Sequence, residues 1–356
     1  MAVSVKSHRE IELMREAGKI LGTVLNNLTK EIKPGMSTWH IDKMGEDMIR
    51  SFDCVPSFLG YGGYPASICV SINDEVVHGI PSKKRIVKEG DIVSLDAGVI
   101  YKGYQSDAAR TVGVGQISDE AAQLIEVTRQ SFFEGIKFAK EGCHLHEISN
   151  AIADYNEKHG YGVIRDLVGH GIGIKLHEDP EIPNFRQERR GIKLYEGMTL
   201  AIEPMVAMGD WKVRCLDDDW TMVTTDHSLT AHYENTVLVT KNGPEILSLV
   251  KEEWRSVMEN KMTGCFARSL AGHDKTEIYI IVGEEPGYVY LSDGKLKKVE
   301  NPKKKKLKHI QPVKRADALI AEKLETQKEL HNEDIKRAIK EYISNMKEDN
   351  KCQNQM

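Results

Sequence analysis

The sequence predicts an α/β (α+β) protein made of two repeated helix–helix–sheet halves, followed by a small β-barrel and a helical tail. Three observations carry this reading. Apolar residues at helical spacing alternate with glycine-punctuated β-like stretches up to about residue 250. The pattern of residues 33–96 recurs at a fixed offset of 107 in residues 140–203. Beyond residue 250 the composition changes to short β runs with glycine turns, a lysine run, and then charged amphipathic sequence.

The elements follow in order. Ser7-His-Arg-Glu10 reads as a capping box opening a helix, with Ile11, Met14, Ile20, Leu21, Val24, Leu25 and Leu28 on its apolar stripe. Lys33-Pro34-Gly35 ends it, and a second helix is expected from about Thr38 to Phe52. Loop and strand segments rich in Gly, Pro and Tyr occupy 55–80. Asp91–Thr111 is β-like and broken at Tyr101-Lys-Gly103, which predicts a hairpin. Ser118 then caps a helix reaching Lys140-Glu-Gly142, a fourth helix covers about 144–158, and glycine-punctuated strands fill 161–240. Lys33-x-Gly35…Ile41 matches Lys140-x-Gly142…Ile148, and Glu89-Gly-Asp-Ile-Val-Ser-Leu-Asp96 matches Glu196-Gly-Met-Thr-Leu-Ala-Ile-Glu203. The repeat therefore puts Asp96 and Glu203 at equivalent strand positions. Acids facing inward from two related strands are costly unless something positive lies between them.

The chain of 356 residues carries 49 Lys+Arg against 54 Asp+Glu, a net charge of −5, with 40% hydrophobic residues. This disfavours disordered, collagen-like and disulfide-scaffold classes. No apolar run approaches the ~18 residues of a membrane span. The charged first twenty residues do not read as a signal peptide, and six cysteines without a CxxC pair suit a reducing, cytoplasmic setting. The net charge hides an asymmetry: residues 1–250 carry −9 and residues 251–356 carry +4.

Five residues of the repeat region stand out. Asp96 and Asp107 lie on the two arms of the expected hairpin, where cross-strand neighbours are close. His170 sits in Gly169-His-Gly-Ile-Gly173, Glu203 in Leu200-Ala-Ile-Glu-Pro-Met205, and Glu234 in His232-Tyr-Glu-Asn-Thr236. Taken singly, each acid reads as a surface turn or strand-end charge. Taken together, four carboxylates and one imidazole suit two divalent ions ~3.5–4 Å apart. A ligand set rich in oxygen favours Co, Mn or Fe over structural zinc. His232 reads as strand packing beside Glu234.

Over about residues 5–250 the chain resembles type I methionine aminopeptidases. The resemblance is carried by Gly60-Tyr-Gly-Gly-Tyr-Pro-Ala-Ser-Ile-Cys-Val-Ser-Ile-Asn73, Val77-His-Gly-Ile-Pro81, Ser94-Leu-Asp-Ala-Gly98 and Ser106-Asp-Ala-Ala-Arg-Thr111. Gly169-His-Gly-Ile-Gly173, His177-Glu-Asp-Pro180, Ala201-Ile-Glu-Pro204 and Thr230-Ala-His-Tyr-Glu-Asn-Thr236 complete it. It implies a pseudo-twofold pita-bread fold and removal of N-terminal Met from nascent chains whose second residue is small. By motif, Asp96, Asp107, His170, Glu203 and Glu234 match the family's dimetal ligands, with Asp107 and Glu234 bridging. Glu203 is implied as proton shuttle, and His78 and His177 as non-ligand histidines contacting the scissile peptide. Tyr61, Tyr64, Cys69 and Trp220 match the methionine pocket, while Phe58 and Leu176 depart from the Cys and Phe of the family pattern. Proline-specific relatives carry an additional N-terminal domain, and type II enzymes a long insertion between the last His and first Glu ligands. Here 32 residues separate His170 from Glu203, which favours type I.

The remainder divides into a connector helix (251–260), a basic barrel (261–315) and an amphipathic helical tail (316–356), split at His331-Asn332. Ser269-Leu-Ala-Gly-His-Asp-Lys275 and Leu291-Ser-Asp-Gly-Lys-Leu-Lys-Lys-Val-Glu-Asn-Pro-Lys303 resemble KOW-type SH3-like barrels related to ribosomal proteins. Residues 295–315 hold ten Lys/Arg and one acid, Glu300. That charge suits phosphate contacts and implies a ribosome or rRNA partner through Lys303–Arg315. It reads also as a solvated run that keeps the chain soluble. An alternative is an RNA- or ribosome-binding protein with a vestigial pita-bread domain.

Overall fold

The computed structural model describes residues 3–250, 262–285, 288–317, 319–320, 323 and 330–353, and it divides into two units, Met1–Val250 and Lys251–Met356. The expected connector helix at 251–260 and most of the first tail helix lie outside the described residues.

In the first unit, helix α1 (His8–Glu31) opens with the capping box: Ser7 accepts from the Glu10 N–H, and the Glu10 carboxylate accepts from the Ser7 N–H at 2.7 Å. Met14, Leu21, Val24, Leu25 and Leu28 are buried on one stripe, each worth ~1.5–3 kcal/mol relative to exposure. Gly18 lets the helix lie directly on the chain near Leu247. A Cβ at Gly18 would come 2.4 Å from the Leu247 carbonyl oxygen. Helices α2 (Thr38–Arg50), α3 (Asp119–Ile136) and α4 (Leu145–Lys158) follow, with Ser37 and Ser118 capping α2 and α3. The α1–α2 pair thus recurs as α3–α4.

Each half carries an antiparallel sheet. In the first, strand Ile92–Tyr101 pairs with Ile68–Ile72, Val55–Pro56 and Tyr104–Gly113. In the second, the order is Gly243–Ile246, Asn235–Thr240, Thr199–Ile202, Gly169–Gly171, Glu178–Ile182. The two sheets meet at a pseudo-dyad. The Ala109 N–H donates to the Glu234 carbonyl (3.3 Å), and the Glu234 N–H donates to the Ala109 carbonyl (3.0 Å). Two residues either side, Thr236 Oγ1 accepts from the Asp107 N–H (2.9 Å) and Thr111 Oγ1 accepts from the His232 N–H (2.8 Å). The threonines return the bonds symmetrically: each hydroxyl donates at 2.9 Å, to the Asp107 and His232 carbonyls respectively.

The second unit is a five-stranded antiparallel sheet ordered Lys303–Lys306, Tyr288–Ser292, Ile278–Glu285, Cys265–Ser269, Ile310–Ala316. Its two edge strands are consecutive in sequence, joined only by Leu307–His309. In a flat sheet those edges would lie ~19 Å apart, beyond the ~14 Å reach of four peptide steps, so the sheet curls. The expected barrel is realised as a half-barrel, because among the described residues no ladder joins the two edges. Ile335 and Ala338 of helix Asn332–Gln353 pack on Phe266 and Ile280, and Tyr342 stacks on Phe266 with ring centroids 4.2 Å apart.

Candidate metal centre

The pseudo-dyad brings the five candidate ligands together. Asp96 and Asp107 come from adjacent arms of the first hairpin, where Asp96 pairs with Ala109 and Asp107 with Gly98. His170 lies on the Gly169–Gly171 strand. Glu203 follows strand Thr199–Ile202, and Glu234 precedes strand Asn235–Thr240. Glycines clear the space beside His170: a Cβ at Gly169 would meet the Ala201 carbonyl at 2.4 Å. Ligand atoms of Asp107, His170 and Glu234 all lie within 4.8 Å of one another. His170 Nε2 stands 3.8 Å from Asp107 Oδ2 and 3.7 Å from Glu203 Oε1.

Burial governs the electrostatics. It raises the carboxyls of Asp107, Glu203 and Glu234 well above their ordinary range, and mutual repulsion adds to this, while Asp96 is pushed up to about 7. Burial likewise lowers His170 to about 3. The His170 Nδ1 faces the Gly171 carbonyl at 2.9 Å, so Nδ1 carries the proton and Nε2 keeps its lone pair toward the acids. Asp96 Oδ1, Asp107 Oδ1 and Glu234 Oε1 are buried without a hydrogen-bond partner among the described residues. Orphaned carboxylate oxygens around an imidazole lone pair fit cations.

Arg110, which sequence reasoning passed over, locks this frame. Its guanidinium donates to the Glu234 carbonyl (2.6 Å) and to Asn235 Oδ1 (2.8 Å) and stacks over the Tyr233 ring at 4.5 Å. His232 was also underread. It packs in a strand as expected, but it is 1% exposed and neither ring nitrogen has a hydrogen-bond partner among the described residues. Its Nε2 stands 3.7 Å from Glu203 and 3.9 Å from Glu234, inside the wall of the cage. The pseudo-dyad explains why. It relates Asp96 to Glu203, Ala109 to Glu234, and Asp107 to His232. The offset is 107 for the first pair and 125 for the others, because the hairpin of the second half, strand Met205–Ala207 paired antiparallel with Thr230–His232, carries the longer excursion through residues 208–229. A fixed-offset search loses the correspondence at that insertion.

His78 and His177 flank the cage. His78 holds a left-handed backbone (φ 59°), strain of a kind concentrated at functional sites. Its ring faces Trp220 edge-on at 6.2 Å. His177 lies 4.2 Å from the His170 ring, and its Nδ1 is 2.7 Å from the Tyr61 hydroxyl. Burial lowers the pKa of both histidines below the ordinary imidazole value. Phe58, Tyr64, Cys69 and Leu176 form one apolar cluster with Trp220 packed against it. Tyr61 differs from these, being 44% exposed.

Two duplicated halves that share a buried acid–imidazole cage define a protein suited to hold divalent cations. The profile of metallopeptidase family M24 matches residues 12–241, and the chain belongs to that family. It is 57% identical over 247 residues to a methionine aminopeptidase of Clostridium acetobutylicum, covering 69% of this chain and 99% of that protein. A solved methionine aminopeptidase of Thermotoga maritima superposes with TM-score 0.69 at 45% identity, over 70% of this chain and all of the other. An Xaa-Pro dipeptidase of Bacillus anthracis reaches TM-score 0.55 at 26% identity, over 68% of this chain and 61% of its own.

Proposed function

We propose that the first unit removes N-terminal methionine from polypeptides with a small second residue. The observation that carries this reading is the cage of orphaned buried acids within a chain 57% identical to a named methionine aminopeptidase. Asp96, Asp107, His170, Glu203 and Glu234 would hold two divalent ions (Co, Mn or Fe), which when bound acidify a water and polarise the scissile carbonyl. The chain's own groups do the rest. The cluster of Phe58, Tyr64, Cys69, Leu176 and Trp220 takes the methionine side chain, where sulfur–aromatic contacts suit a thioether. Glu203 accepts the proton of the attacking water and passes it to the departing amine as the C–N bond breaks, releasing methionine and the shortened peptide. His78 and His177 donate toward the peptide and its tetrahedral intermediate. Hydrolysis of Met-Ala-Ser with added Mn²⁺ or Co²⁺, abolished by Glu203→Gln, supports this. No turnover with any metal refutes it in favour of a binding protein with a vestigial peptidase domain.

A second reading concerns the curled sheet, which we infer docks on ribosomal RNA as an SH3-like module. Lysine run 303–306 is an edge strand, so alternate side chains face opposite ways. Lys305 is buried against Asp274, and Lys303 also pairs with Asp274 (2.9 Å). Only part of the stretch is therefore free for phosphate. Lys304 lies over Tyr288 and Tyr290 beside exposed Lys306 and Lys308, a cation–aromatic face of the kind single strands stack on. Its charge is shared with Glu285. Ribosome co-sedimentation of the full chain against a 1–250 truncation, at rising salt, tests this. Equal, salt-insensitive binding refutes it.

A further inference from the structure

The hydroxyl of Tyr61 meets the imidazole of His177 at 2.7 Å, and the two rings lie 5.3 Å apart. This tyrosine stands outside the apolar cluster that holds Tyr64. Tyr64 is 3% exposed, and its hydroxyl donates to the Gly79 carbonyl at 3.0 Å. Tyr61 is 44% exposed and has no other hydrogen bond among the described residues. The backbone that presents it is built for the purpose. Gly60, Gly62 and Gly63 all take left-handed conformations (φ 83°, 57° and 93°) around a tight turn. A Cβ at Gly60 or Gly63 would meet nothing within 4 Å, so conformation rather than space requires glycine there.

We propose that Tyr61 is a positioning residue: its O–H donates to Nδ1 of His177, fixing the neutral ring as the Nε2–H tautomer and aiming an N–H donor at the substrate peptide. A neutral imidazole has one donor and one acceptor nitrogen, and the partner of one decides the state of the other. The contrast with the adjoining histidine shows the logic. His170 faces a carbonyl, which can only accept, so its Nδ1 carries the proton and Nε2 is left as a lone pair. His177, with its ring 4.2 Å away, faces a hydroxyl, which unlike a carbonyl can donate, and with Tyr61 as the donor the polarity of the ring is reversed. Neighbouring histidines thus present opposite faces: a lone pair where a cation binds, and an N–H where negative charge develops.

The catalytic consequence rests on the peptidase reading; the tautomer does not, which separates the two tests. In metal-free, ¹⁵N-histidine-labelled full chain, with His177 assigned by comparison with His177→Asn, ring nitrogen shifts should show a protonated Nε2 and an unprotonated Nδ1. Tyr61→Phe keeps the ring contact on an exposed turn, and it should move both signals toward a tautomer mixture. With Met-Ala-Ser and Mn²⁺ the same variant should lose about tenfold in kcat, the worth of one hydrogen bond, with KM within about twofold. A wild-type His177 spectrum in Tyr61→Phe overturns the proposal. So does a raised KM at unchanged kcat, which would make Tyr61 only a wall of the methionine pocket. Absence of turnover in the wild-type chain refutes the peptidase reading and the catalytic role together, while the nitrogen shifts still report the bond.

Discussion

Adding Mn²⁺ to the metal-free protein should raise its thermal stability, and Asp107→Asn should remove most of that rise without weakening the metal-free protein in the way that loss of a structural acid would. The cage draws Asp96 and Asp107 from the first half and His170, Glu203 and Glu234 from the second, so it exists only when both halves are in register. An ion that binds the folded state alone adds ~2.7 kcal/mol at a free concentration 100 times its dissociation constant. The first unit spans Met1–Val250, a size at which 1 kcal/mol moves the midpoint by about 2 to 4 °C. One bound ion should therefore shift the transition by about 5 to 11 °C. In the metal-free chain Asp107 is 4% exposed with Oδ1 unpartnered, beside the raised carboxyl of Asp96. Replacing it by neutral Asn should leave the metal-free midpoint unchanged or slightly higher, while the Mn²⁺-dependent rise falls below about 2 °C. Differential scanning calorimetry of both proteins, with and without metal, reads all four values. An undiminished metal-dependent rise in Asp107→Asn would falsify the cage as the binding site. A metal-free Asp107→Asn weakened by several degrees would show that the acid is structural.

Arg110→Met should destabilise the first unit by about 3 kcal/mol, since it leaves the buried Glu234 carbonyl and Asn235 Oδ1 without their guanidinium partner. Scanning calorimetry should register this as a midpoint about 6 to 12 °C lower, and a loss under 3 °C would mean that Arg110 does not brace the dyad. In the second unit, burial works to raise the Asp274 carboxyl, but hydrogen bonds from Lys305 and Lys303 prevail and hold it below its ordinary value. A depressed carboxylate contributes stability above its unfolded pKa and loses it as pH falls through the folded one. The sheet should therefore weaken as pH drops below about 4. Hydrogen exchange of peptides within 262–316 should show that loss in the wild-type chain. Asp274→Asn should exchange faster at pH 7 and show a flatter acid dependence; matching profiles would refute the pairing.

Local chemistry made much of this protein legible. The Ser7–Glu10 capping box, the serine caps at 37 and 118 and the Tyr101–Tyr104 turn act over three or four residues, so the sequence states them directly. The duplication was legible for as long as the two halves kept one spacing. Once residues 208–229 lengthen the second hairpin, spacing no longer reports position, and His232 and Arg110 disappear from view. The lysine run misled in a similar way. Read as composition, it is four of the ten cations of residues 295–315, all facing solvent. Folded as an edge strand, it turns Lys305 inward onto Asp274 and spends Lys304 on Glu285.

Residue types within the repeat singled out Asp96, Asp107, His170, Glu203 and Glu234 as candidates, and the resemblance of the local motifs around them to methionine aminopeptidases implied that they act as one chemical set. What only the tertiary structure decided is how those groups meet. The pseudo-dyad pairs Ala109 with Glu234 across 125 residues, sets His232 where Asp107 stands in the other half, and brings Tyr61 to His177 across 116. Hydrogen bonds between distant strands impose those distances, and no pattern within a single strand or helix encodes them.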